Sequence, residues 1–307
     1  MTDDFDFTKP QPAPAAAPTE SAAPSAPFKP AQSRYYDARV AESLFRQEGK
    51  PERFAAGQPL FAEEEKAAKA GLFGKRPLAR MYYVVEGEVA LTNRGKPLDV
   101  VKAGEVFGEM AVVSERPRSA SATAKTDVEA ISLDRAELQE AFGRTPEFAL
   151  MLMSVMFDRL RFLAARLAAR KGVGNGGARE SSVFDAGMLA QFEAALPRAA
   201  TVRHWGDTVV MREGQTGAFM YVVKSGRIAI AIRNAVVEIV QPGGIFGEMA
   251  LVDQSPRTAT AATLSECELL QVDRPSLLAA VKAQPAFAMA MLRAVADRLR
   301  HMNEQLN

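Results

Sequence analysis

The chain repeats itself, and the repeat is long. Tyr82 to Leu167 align with Tyr221 to Leu306 at a constant offset of 139 residues without a gap. Gly87 falls on Gly226, Gly104 on Gly243, and Phe107-Gly-Glu-Met-Ala111 on Phe246-Gly-Glu-Met-Ala250. Pro117-Arg118 falls on Pro256-Arg257, Asp134-Arg135 on Asp273-Arg274, and Asp158-Arg-Leu-Arg161 on Asp297-Arg-Leu-Arg300. Upstream, Tyr36-Asp-Ala38 meets Phe184-Asp-Ala186, and Gly57 meets Gly206 at an offset of 149, so the first copy carries ten extra residues before Tyr82. A unit of this size exceeds the ~20–50 residues of a solenoid repeat. It is a duplicated domain, and 307 residues hold two domains of ordinary size, each with its own core.

The register sets the organisation. Residues 1–33, rich in Pro and Ala, hold too little large apolar surface to offset the entropy of ordering, and read as a disordered tail. Residues 34–170 form domain A and residues 183–307 domain B. Between them, residues 171–182 contain four glycines and read as a linker. The extra segment of the first copy lies within residues 63–80. It reads as a surface excursion or, with Leu72 and Phe73 as anchors, a partner-binding loop. Phe5-Asp-Phe7 in the tail is open to the same pair of readings.

Each copy has one internal order. A short helical segment opens it, over Arg39–Arg46 and Met188–Leu196. Short strand-like runs follow, including Met81–Leu91 and Met220–Ile232, punctuated by Glu86-Gly87, Lys102-Ala-Gly104, Ser225-Gly226 and Gln241-Pro-Gly-Gly244. A long helix closes it. Phe148, Leu152, Met156, Leu160 and Leu163 make one apolar stripe; Phe287, Met291, Val295, Leu299, Met302 and Leu306 make the other. The fold expected is mainly β with α: two antiparallel β-roll (jelly-roll) domains, each with flanking helices and a long C-terminal closing helix.

Between two strands each copy reads Phe-Gly-Glu-Met-Ala, five variable residues, then Pro-Arg-Ser/Thr-Ala. These residues resemble the phosphate-binding cassette of the cyclic-nucleotide-binding domain family, whose turn glycines and closing helix are also matched. The resemblance covers about residues 34–170 and 183–307. It assigns ligand contact to Phe107, Gly108, Glu109, Met110, Ala111, Arg118 and Ser119, and to Phe246, Gly247, Glu248, Met249, Ala250, Arg257 and Thr258.

Chemistry supports the match. A cyclic phosphodiester is a singly charged anion with two exocyclic oxygens, and an arginine fork meets two oxygens where a lysine cannot. Arg118 and Arg257 are the candidates. Gly108 and Gly247 allow close backbone approach, and the stretches after them can open a helical turn with free N–H groups. Glu109 and Glu248 would repel the phosphate; the resemblance gives them the ribose 2′-hydroxyl. Ser119 and Thr258 offer a hydroxyl to phosphate or to a guanine amino group. The alternative is a buried Arg–Glu ion pair that holds two strands together with the same residue types. Candidates for contact with the base are Arg159, Arg298 and Asn303 on the closing helices, or these are a solvated helix face; Asn303 is matched by Ala164, so the two sites are expected to differ.

Charge and composition narrow the function. The formal net charge is +1, from 38 Lys+Arg against 37 Asp+Glu, which gives no electrostatic case for nucleic acid or an acidic membrane surface. No apolar stretch approaches the ~20 residues of a membrane span, and the acidic start is unlike a secretion signal, so the expected place is the cytoplasm. One cysteine, Cys267, excludes an intrachain disulfide, and two distant histidines, His204 and His301, make a zinc site improbable. Trp205 is expected to pack at a strand start and Cys267 in the core.

The chain stops directly after the second closing helix, where transcription regulators of the family need a helix-turn-helix, so DNA is not expected as partner. The tandem resembles the regulatory subunit of the cyclic-AMP-dependent kinase, but the tail has no Arg-Arg-x-Ala/Ser inhibitor segment. The reading is a non-catalytic receptor with no cofactor. Its ligand is cyclic AMP, with cyclic GMP second, and its partner an unidentified protein; the closing helices are a candidate homodimer contact. The rival is a scaffold that kept the fold without depending on ligand.

Overall fold

A computed structural model describes residues 35–64, 79–169, 178–198 and 200–306. The expectations for the tail, for Leu72 and Phe73, and for residues 171–177 of the linker lie outside these residues.

In the first repeat, α1 (Ala38–Glu48) is followed by β1 (Lys50–Phe54), β2 (Pro59–Phe61), β3 (Met81–Glu86), β4 (Glu88–Asn93), β5 (Lys96–Lys102) and β6 (Val106–Phe107). Then come α2 (Glu109–Ser114), β7 (Ser121–Ala124), β8 (Val128–Leu133), α3 (Arg135–Arg144) and α4 (Pro146–Ala169). Two antiparallel sheets result, in the orders β1-β8-β3-β6 and β2-β7-β4-β5. The second repeat opens with β9 (Arg179–Ser181) and α5 (Ala186–Ala195). It continues through β10 (Ala200–His204), β11 (Val209–Met211), β12 (Phe219–Ser225), β13 (Ile228–Ile232), β14 (Ala235–Val240) and β15 (Ile245–Phe246). It ends with α6 (Glu248–Asp253), β16 (Thr260–Thr263), β17 (Cys267–Asp273), α7 (Arg274–Ala283) and α8 (Ala286–Leu306). Its sheets are β10-β17-β12-β15 and β11-β16-β13-β14-β9. Both repeats are antiparallel β-rolls with flanking helices and a long closing helix, as the residue pattern predicts.

Three details depart from that pattern. Arg179–Ser181, placed in the linker by its glycine-rich start, pairs in parallel with β14 and occupies an edge that otherwise exposes unpaired backbone groups. The helices α3 and α7 precede the closing helices. Trp205 does not pack: it is 74% exposed in the loop between β10 and β11.

The cores follow from alternation. Between the sheets of the first roll, Phe61, Tyr82, Val84, Val89, Phe107, Ala122 and Ala130 are buried together. In the second, Val223, Ile228, Ile230, Val240, Phe246, Cys267 and Leu269 take that place. The helical face of the first repeat is closed by aromatic rings. Phe45 of α1 meets Tyr83 of β3 and Phe148 of α4 at centroid distances of 5.7 and 6.2 Å. The buried aromatic area there ties strand to helix.

By contacts the described chain forms two compact units. One takes the first repeat as far as Leu167 together with the stretch from Val281 onward; the other takes Ala168–Ala280. The helix α8, which closes the second repeat in sequence, therefore groups with the first.

Candidate anion-binding cassettes

Each cassette is a two-residue strand running into a short helix. Gly108 and Gly247 cap those helices with φ of 80° and 75°, in the left-handed region that glycine adopts without strain, and no side chain caps either end. At Gly247 a Cβ would also press on the Arg257 guanidinium. The helices α2 and α6 are buried along almost their whole length. Arg135 holds the far end of α2 by donating from Nη1 to Val112 O and Val113 O, each at 3.0 Å; Arg274 does the same for Leu251 O and Val252 O.

The two arginines singled out by spacing come to the same place in both rolls. Arg118 and Arg257 are 6% and 5% exposed. Arg118 Nη1 donates to Gly108 O at 3.0 Å and Nη2 to Arg80 O at 2.8 Å. Arg257 Nη1 donates to Gly247 O at 2.7 Å and Nη2 to Phe219 O at 2.6 Å. Each fork thus spans the helix-capping glycine and the chain entering the central strand. Burial lowers the pKa of Arg257, opposed by the charges of Tyr221 and Glu248.

Their surroundings differ. The Arg118 guanidinium carbon lies 3.9 Å from the Phe61 ring centroid, a cation–π contact, and Phe61 stacks on Tyr82 and Phe107 at 6.1 and 6.0 Å. In the second roll Tyr221 and Phe246 stack at 5.0 Å, and Gly217 leaves the room that Arg257 fills: a Cβ on it would collide with the guanidinium.

Glu109 and Glu248, the first residues of α2 and α6, are buried, at 4% and 3% exposure. Glu109 Oε1 accepts from Arg159 Nη1 of α4 at 2.6 Å. The structure so joins Glu109 to Arg159, which was a candidate for the base. Arg298 and Asn303 both lie half-buried on α8. The hydroxyls of Ser119 and Thr258 point at cassette sulfurs, Met110 Sδ at 4.0 Å and Met249 Sδ at 3.6 Å. Phe107, Ala111, Phe246 and Ala250 are buried and form the apolar floor of the cassettes.

Sequence reasoning missed three participants. Arg80 and Phe219 contribute backbone carbonyls, which no side-chain pattern marks. Phe61 sits ahead of the register change and so escapes the 139-residue alignment. Arg135 and Arg274 were visible as repeated Asp-Arg pairs, although the pairs alone did not say which carbonyls they hold.

With this geometry repeated in two rolls, the comparison with known proteins is decisive. The family model for the cyclic nucleotide-binding domain matches residues 51–145 and again 205–284, more than half of the chain. The chain belongs to the cyclic-nucleotide-binding domain family. It is 32% identical over 102 residues to the CRP-like cAMP-activated global transcriptional regulator of Mycobacterium tuberculosis, covering 32% of this chain and 46% of that protein. It is 24% identical over 224 residues to the cAMP-dependent protein kinase regulatory subunit of Schizosaccharomyces pombe, covering 70% of this chain and 49% of that one. The chain spans about half the length of these curated relatives. Among solved structures, the cAMP-bound regulatory domain of Toxoplasma gondii PKA aligns over 83% of this chain and 94% of its own, with 18% identity and a TM-score of 0.29. Among the described residues no single helix is long and apolar enough to cross a membrane, and no group of three or more His, Cys, Asp or Glu is placed to hold a metal ion.

Proposed function

We propose that the chain is a non-catalytic receptor for cyclic AMP, with cyclic GMP as the second candidate, built from two ligand-binding modules over residues 34–170 and 183–307. The observation that carries this reading is the pair of buried guanidinium forks. Each now donates to two neutral carbonyls. A cyclic phosphodiester offers the same fork two anionic oxygens, and a bidentate pair of opposite charges adds an ion–ion attraction that a neutral carbonyl does not supply. Ligand would therefore take the fork, release Gly108 O and Arg80 O in the first roll or Gly247 O and Phe219 O in the second, and meet the open amides of the short helix. Glu109 and Glu248 would accept from the ribose 2′-hydroxyl, with the base over the closing helices near Arg159, Arg298 and Asn303. The receptor would work in the cytoplasm and pass its state to a protein partner. Both curated relatives are regulators named for cAMP.

One observation favours the scaffold reading: both terminal nitrogens of each fork donate to the chain's own carbonyls, as those of a purely structural arginine would. Titration calorimetry with cyclic AMP and cyclic GMP separates the two. Receptor function requires saturable binding below ~100 μM, and Arg118→Ala and Arg257→Ala should each remove one site or weaken it ten- to a hundredfold. Absence of binding by the folded chain returns the scaffold reading.

A further inference from the structure

The repeated Asp-Arg-Leu-Arg sequence lies in both closing helices, and its two copies make different contacts. In α4, Arg161 Nη1 meets Asp158 Oδ1 one turn back at 2.6 Å. In α8, the matching Asp297 lies with Oδ1 3.0 Å from Arg116 Nε. The matching Arg300 donates from Nη2 to Pro117 O at 3.0 Å and to Ser114 Oγ at 3.3 Å. Ser114, Arg116 and Pro117 are the segment that leads from the end of α2 to Arg118.

That segment needs holding. Glu115 within it has φ of 55°, a left-handed conformation that costs a non-glycine residue on the order of 1 kcal/mol and persists where the surroundings over-determine it. Arg135 fixes the carbonyls before Glu115, and Arg300 fixes the carbonyl after it. The second cassette has different chemistry at the same places. Asp253 stands for Ser114 and Ser255 for Arg116, and Ser255 N donates to Asp253 Oδ1 at 3.1 Å, a tie made within the segment. Ser255 carries no cation of the kind that Arg116 gives Asp297 in the first cassette.

We infer that Asp297 and Arg300 of α8 are positioning residues for the first cassette, so that the site around Arg118 is complete only when the last helix of the chain is seated on it. The inference rests on the receptor reading of that cassette. Burial lowers the Arg300 pKa, with Arg116 acting in the same direction and the charges of Asp297, Glu304 and Glu64 opposing. Arg300 is half-buried, its buried Nε without a hydrogen-bond partner is costly to keep, and two contacts to the cassette offset that cost.

The test uses the full chain in an Arg257→Ala background, which leaves the first site to be titrated with cyclic AMP. Arg300→Ala should weaken binding about tenfold, the loss of a hydrogen-bonded charge. Asp297→Ala should weaken it several-fold, and Arg293→Ala, an exposed change on the same helix, should leave it unchanged. Without ligand, Arg300→Ala should also speed amide hydrogen exchange across residues 109–118, a local readout that a general loss of stability would not confine to the cassette. Arg116→Asp should weaken binding, and pairing it with Asp297→Arg should recover it. Affinity and exchange unaltered by Arg300→Ala, while Arg118→Ala abolishes binding, would overturn the inference and leave the receptor reading standing. A parent that binds no cyclic nucleotide overturns both.

Discussion

At the scale of single residues, the two buried guanidinium groups set the energetics. Each is removed from water and compensated by two carbonyls, so replacing the arginine affects the fold as well as any ligand. A cleaner probe is the space beside the fork. Gly217→Ala would drive a methyl into the Arg257 guanidinium, which must swing off Gly247 O and Phe219 O. Because the methyl takes the space from which the fork would meet the anion, second-site affinity for cyclic AMP should fall about tenfold or more, read by calorimetry in an Arg118→Ala background. Undiminished affinity would mean that Arg257 does not hold the anion from this position. The residues of this cluster were unevenly legible in the sequence. Gly108, Glu109 and Arg118 stand within ten positions of one another, so spacing exposed them. Arg80 acts through its carbonyl, and Phe61 reaches Arg118 only because β2 folds beneath β6, so neither left a local signal. Trp205 was misread for a related reason: a large apolar residue predicts burial on average, but the loop after β10 carries it outward.

At the scale of elements, periodicity revealed the closing helices because each spans five or more turns with one apolar stripe. The helix α3 is only 10 residues long, and its signal lies in its start. Asp134 accepts from Ala136 N and Glu137 N, each at 3.0 Å, and Glu137 Oε2 accepts from Asp134 N at 2.9 Å, a complete capping box. Asp followed three residues later by Glu was therefore readable and went unread. The box is also tied to the cassette: Arg80, whose carbonyl takes Arg118, pairs through Nη2 with Glu137 at 2.7 Å and through Nη1 with Asp134 at 3.4 Å. Asp134→Ala should cost about 1 kcal/mol of stability from the lost cap, and more where Arg80 also loosens. Urea unfolding measures it, and an unchanged midpoint would show that α3 is held by packing alone. Strand β9 was illegible for the opposite reason. Three residues carry no periodicity, and its partner β14 lies more than fifty residues away.

At the scale of the whole molecule, the duplication was plain in the sequence, whereas the grouping of α8 with the first repeat was not, because a helix's stripe does not name the surface that covers it. The unit so formed has a built-in alkaline limit. Tyr36, just before α1, donates its hydroxyl to Gly104 O at 2.6 Å in the turn after β5. Burial, and then the negative charges of ionised Tyr83, Glu105 and Asp37, push its pKa far above the ordinary value of about 10. Tyr83 is raised as well, first by burial and then by Glu42. A raised tyrosine is protonated in both folded and unfolded chains below pH ~10, so its contribution is fully present there. Above that pH the unfolded chain releases the proton and the folded one keeps it, which favours unfolding by up to ~1.4 kcal/mol per pH unit for each such group. The urea midpoint of the intact chain should hold between pH 7 and 9 and drop by pH 11, a range chosen to bracket the ordinary tyrosine pKa of about 10. Tyr36→Phe should begin about 1 kcal/mol lower, for the lost hydrogen bond, and fall less steeply above pH ~10. If variant and parent lose stability with the same slope, the Tyr36 hydroxyl is not the group whose ionisation opens this unit.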